Sequence, residues 1–113
     1  MNAAEPGRPG ESLARQVDLL VRQVAHWTAP RWGAPATSGN SARSDLLHRL
    51  VQLLANLAAD TVGERRRTVP RLENDLALPD QLRVVAADLI AADPPAAVLA
   101  EAEVEVAATR RAL

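Results

Sequence analysis

The stretch Ser44–Gly63, SDLLHRLVQLLANLAADTVG, decides the fold of this chain. It is the longest periodic segment, with no proline and no glycine before its last residue. Leu46, Leu50, Leu53 and Leu57 follow one another at spacings of 4, 3 and 4, and so do Leu47, Val51, Leu54 and Ala58. At about 100° of rotation per residue these sets form two adjoining apolar stripes. Asp45, His48, Arg49, Gln52 and Asn56 occupy the arc that is left. A helix with one stripe needs one neighbour, and two stripes need two. The spacing therefore predicts the central helix of a small bundle, with its polar arc solvated. Ser44 is the expected N-cap, Asp45 sits favourably at the positive end, and Gly63 is placed to terminate the helix as C′.

Upstream, Leu13, Val17, Leu20, Val24 and Trp27 make one narrow stripe at spacings of 4, 3, 4 and 3, so a first helix is expected from Glu11 or Ser12, with Ser12 as cap. Leu19 lies off that stripe. Met1–Gly10 holds two prolines and two glycines and is expected to be a disordered tail, leaving 11–113 as a single domain. The connector 28–43, TAPRWGAPATSGNSAR, carries two prolines, two glycines and a run of small polar residues, which argue against helix. It is long for a link within a bundle, and such loops are mobile or functional.

Downstream, Gly63–Leu78 reads as a second irregular stretch in which Pro70 could open a short turn carrying Leu72 and Leu76 on one side. Leu78, Leu82, Val85 and Leu89 define a third helix with Pro79 in its first turn, where the missing N–H costs nothing. Asp93 before Pro94 and Pro95 is the expected cap of a fourth helix, which buries Val98, Leu99, Ala102, Val106 and Leu113. The fold predicted is all-α: a small four-helix bundle with up-and-down connections.

Composition limits the chemistry. All thirteen basic residues are arginine, cysteine is absent, and the net charge is −1. The excess of alanine and arginine is read first as the codon bias of a GC-rich, bacterial genome. Without cysteine there is no disulfide, zinc–thiolate site or thiol nucleophile. The charge balance argues against duplex binding by a general basic surplus. The sequence offers no apolar leader and no apolar run long enough to cross a membrane, so a cytoplasmic location is expected.

Three constellations bear on function. Arg65, Arg66, Arg67 and Arg71 form the sharpest one, four guanidiniums flanked by Glu64, Glu73 and Asp75. They read as solvated or helix-capping, as a protein-partner contact, or as a phosphate clamp, the first being favoured. Asp45 and His48 have the spacing of a metal-binding pair, but helical di-metal sites need that pair twice with further inward glutamates. No metal or other cofactor is therefore expected. Trp27 belongs to the first helix's stripe, whereas Trp32 stands in the connector and either folds back or anchors a partner. No glycine-rich phosphate loop or nucleophile elbow occurs, and the chain is not expected to be an enzyme.

The sequence thus points to a non-catalytic helical interaction module, an adaptor or regulator that binds another protein or a second copy of itself. Trp32, Leu19, Val84, Arg65, Arg66, Arg67 and Arg71 are its candidate contact residues. The alternative is a small nucleic-acid-associated regulator that uses the arginine loop 65–71.

Overall fold

A computed structural model describes residues 8–37 and 39–113. Four long helices, α1 (Glu11–Val24), α3 (Arg43–Thr61), α4 (Leu78–Ala91) and α5 (Ala96–Ala112), form an all-α bundle. A five-residue helix, α2 (Ala29–Gly33), and a 3-10 turn (Asp75–Ala77) complete the elements. The first seven residues of the predicted tail lie outside the described residues.

Helix α3 is central, as its two stripes require. Leu47, Val51 and Leu54 are fully buried and Leu50 nearly so, while Leu46, Leu53 and Leu57 pack at the margin of the core. Each fully buried leucine removes enough apolar surface to contribute about 2 kcal/mol. Its two helical neighbours are α4 and α5, and the same two flank α1, so α1 and α3 occupy one diagonal.

The connectivity differs from the up-and-down order expected. Ala55, Ala58 and Val62 share a groove with Val85, Asp88 and Ala92, and Asp45 is joined through Arg71 to Asp75 just before α4, so α3 and α4 run parallel. Ser12 reaches Glu103 and Gln23 reaches Arg110, so α1 and α5 are parallel too. Gly10 lies beside Ile90 and Asp18 pairs with Arg83, which sets α1 antiparallel to α4. Two parallel pairs are therefore packed against each other in opposite senses. A parallel α3–α4 pair needs a return crossing, and residues 64–74 supply it as an extended strap laid along α3.

The helix ends also depart from the sequence reading. Ser44 is not the cap of α3: Ala42 takes that place because it bridges Pro35, and the Arg43 N–H donates to Ala34 O at 3.0 Å. Backbone from the connector thus replaces the serine hydroxyl. Ser12 is not the cap of α1 either. Gly10 is, at φ 87°, where a Cβ would stand 2.7 Å from Ile90 Cγ2. Asp93 ends α4 instead of opening α5, adopting φ 54° and donating its N–H to Ile90 O, while Pro95 precedes α5. Gly63 does end α3, at φ 71°, and the Glu64 N–H reaches back to Ala59 O at 2.9 Å, closing the terminal turn.

The connector holds α2 despite its prolines, because Pro30 falls in the first turn and Pro35 beyond the end, where neither removes a helical bond. This short helix carries Trp32 into the core, edge-on to Trp27 with centroids 4.9 Å apart. The connector then covers the end of α5, the Thr37 N–H and hydroxyl both donating to Ala112 O. Carbonyls left free at a helix end are satisfied in this way. Between α3 and α4 the one regular turn is Asp75–Ala77, after the strap and not at Pro70, and Leu72 and Leu76 are exposed instead of sharing a packed side.

Candidate functional site

The polar arc of α3, expected to face solvent, is where the strap is fastened. The Gln52 carboxamide donates through Nε2 to Arg67 O at 2.9 Å and accepts from the Val69 N–H at 2.8 Å. It therefore stands in for a peptide group of a neighbouring strand, pairing with residues two apart. His48 donates through Nε2 to Val69 O at 3.1 Å, and Gln81 of α4 donates to Pro70 O at 3.1 Å. Asp45 and His48 are thus structural clips, each with its own partner. Among the described residues, no group of three or more histidine and carboxylate side chains is gathered for a metal.

The strap's arginines divide into two kinds. Arg66 grips Asp60 through Nε and Nη2, at 2.9 and 2.6 Å, and this bonding holds the Asp60 carboxyl below its ordinary value. Arg71 bonds Asp45 at 2.9 Å and Asp75 at 3.4 Å, and the Asp45 bond foremost raises its already high pKa, against the opposing effect of burial. Arg66 and Arg71 therefore serve the fold. Arg65 and Arg67 are exposed and form no side-chain hydrogen bond or ion pair among the described residues. In extended backbone, residues two apart point the same way, and both line the same groove.

That groove, about 610 Å³, lies between the C-terminal halves of α3 and α4 and the strap. Ala55, Ala58 and Ala59 line its α3 side and Ala91 and Ala92 its α4 side, with Val62 at the α3 end. Small side chains let an incoming backbone approach closely, and half-exposed Val62 adds apolar surface. Arg65 and Arg67 on one wall and Asp88 on the other give the rim both signs of charge.

The remaining sequence candidates are scattered. Trp32 is 1% exposed and cannot anchor a partner, so it leaves the candidate surface as a packing residue. Leu19 and Val84 are exposed, each directly following one member of the Asp18–Arg83 ion pair. The helical step carries Leu19 to the side of α1 that holds Ser12 and Gln23, and Val84 to the outer side of α4, so they do not form one patch. Sequence reasoning missed Gln52 and the groove alanines. Gln52 and Asn56, two amides four apart on one arc, were the available signal, because amides suit backbone partners better than charges do.

Neither a family model, nor a curated protein, nor a solved structure matches this chain. Among the described residues, no helix is long and apolar enough to cross a membrane.

Proposed function

We propose that the chain is a non-catalytic helical interaction module that binds another protein, or a second copy of itself, through the alanine-lined groove beside the strap. The observation that carries this reading is the groove itself: small, apolar and open, with Val62 half-exposed and two guanidiniums, Arg65 and Arg67, free to meet a partner's carboxylates or carbonyls. Buried apolar surface with satisfied polar groups at the rim is the anatomy that holds protein partners together.

The test is a pull-down from native lysate at two salt concentrations, with nuclease, alongside sedimentation of the purified chain. Val62→Ser with Ala91→Glu alters exposed groove positions and should abolish the captured protein or the self-association, while Leu19→Ser with Val84→Ser should leave it intact. The reverse pattern places the contact at Leu19 and Val84 and defeats the groove. A strictly monomeric protein that captures nothing defeats the module.

The nucleic-acid reading of the loop 65–71 draws on Arg65 and Arg67 but loses Arg66 and Arg71 to Asp60, Asp45 and Asp75. It requires salt-sensitive binding that disappears in Arg65→Gln/Arg67→Gln.

A further inference from the structure

The opposite end of the bundle, where α1 and α5 finish and α3 begins, carries a second set of arginines beside the connector residues 34–37 and 39–42. Arg31 stands over the Trp27 ring, 4.6 Å from its centroid. Arg43 lies 5.4 Å from the same centroid and donates through Nε to Leu113 O and through Nη1 to Arg31 O. Arg49 reaches the Ser41 hydroxyl at 3.4 Å, and Arg111 is held by its carbonyl, which accepts from the Thr37 hydroxyl at 3.3 Å.

None of these four is within ion-pair distance of an aspartate or glutamate side chain among the described residues. By contrast, Arg15, Arg22, Arg66, Arg71 and Arg83 each have a carboxylate. The acid one turn before Arg49, Asp45, is taken by Arg71. A chain of net charge −1 thus has, on the elements that meet at one pole, four arginines without an aspartate or glutamate partner among the described residues, Arg111 being placed there by its backbone. Two of them are also fixed in place, because the indole beneath Arg31 and Arg43 is itself buried against Trp32. A guanidinium stacked on an aromatic face can keep its in-plane N–H groups for another acceptor, as Arg31 does, whereas Arg43 already uses Nε and Nη1 on Leu113 O and Arg31 O.

We infer that this pole docks a carboxylate-rich segment of a partner protein, independently of the groove. Carboxylates fit guanidinium forks bidentately. Nucleic acid fits less well: both tryptophans are buried, so no ring is offered for base stacking, and the whole chain has no basic surplus.

The full chain tests this by fluorescence anisotropy with a short labelled all-glutamate peptide at low ionic strength. Arg31→Gln/Arg49→Gln/Arg111→Gln should weaken binding by about tenfold or more, and added salt should weaken the wild type. Arg65→Gln/Arg67→Gln should stay within about twofold of wild type. If the triple variant loses its fold by circular dichroism, Arg49→Gln/Arg111→Gln, which spares the residues on Trp27, should still weaken binding about threefold. The inference is overturned if the wild type does not bind the peptide, if the polar-end variants bind as well as wild type, or if Arg65 and Arg67 account for the loss. Tighter binding of a single-stranded oligonucleotide than of the peptide at this pole overturns it as well.

Discussion

Replacing Gln52 with alanine should detach the strap without disturbing the helices. The side chain makes two hydrogen bonds to strap backbone, to Arg67 O and from the Val69 N–H, and a third to Asn56. A net hydrogen bond contributes about 1 kcal/mol, and a half-buried donor left without a partner costs roughly 1 kcal/mol more. Water reaches Arg67 O in the variant, so the Arg67 bond counts little, and the Val69 N–H dominates. Together these give a loss of about 2 kcal/mol, or about 8 °C in melting temperature for a chain of this size. Glutamate at position 52 keeps the acceptor for Val69 but turns an oxygen toward Arg67 O, so Gln52→Glu should lose about half as much. Urea denaturation gives the free energies, and hydrogen exchange read at single amides gives the location. In wild type the Val69 amide should be protected, while Arg65–Thr68, whose N–H groups have no backbone partner here, exchange freely. In Gln52→Ala the Val69 protection should vanish and that of α3 should persist. A variant within about 0.3 kcal/mol of wild type, with Val69 still protected, would refute the clip.

Other expectations rest on separate features. Trp32→Ala removes a fully buried ring packed on Trp27 and should cost about 3–5 kcal/mol in urea unfolding, against almost nothing if the ring were a surface anchor. Gly63→Ala meets open space and should cost only the left-handed backbone penalty, about 1 kcal/mol, whereas Gly10→Ala also drives a methyl into Ile90 and should cost clearly more. Equal losses in the two variants would contradict the Gly10–Ile90 contact. The Asp60–Arg66 clip should be constant from neutrality down to about pH 5. The Asp60 pKa is depressed in the folded chain, so the stability it supplies is present above its unfolded value, 3.8, and is lost as pH falls through the folded value. The Arg66 Nε–H resonance should follow that loss in wild type and show no such titration in Asp60→Asn.

Leucine spacing alone made α3 legible, because two stripes on one helix have few other uses and both found helical neighbours. The narrow seam of α1, the proline opening α4 and the glycine ending α3 were legible for the same reason: each is a local rule obeyed locally. Caps were misread wherever tertiary packing supplied what a side chain would have. Ser44 yields to backbone of the connector, and Ser12 yields to a glycine that Ile90 requires. The strap was illegible because extended backbone without alternation has no periodic signature, and its partner is a set of polar side chains on a helix. Arg65, Arg66, Arg67 and Arg71 look alike in sequence. Only the positions of Asp60, Asp45 and Asp75 separate the two that clip from the two that are free. The cluster at Arg31, Arg43, Arg49 and Arg111 is spread over eighty residues of chain and is assembled only by folding.

The pairing of α1 with α5 has a temporal consequence. Ser12 and Glu103 are separated by 91 positions, so α1 must wait for α5 before its flank is covered. The parallel α3–α4 unit and its strap can close earlier, since their contacts are nearer in sequence. During synthesis the apolar seam of α1 therefore stays half-clothed until α5 has emerged from the ribosome, and a truncation within α5 would leave it so permanently. Contacts of such long separation slow closure and prolong the exposure of sticky surface. Quality-control machinery would meet the nascent protein at Leu13, Val17 and Leu20, residues that the finished molecule conceals completely or nearly so.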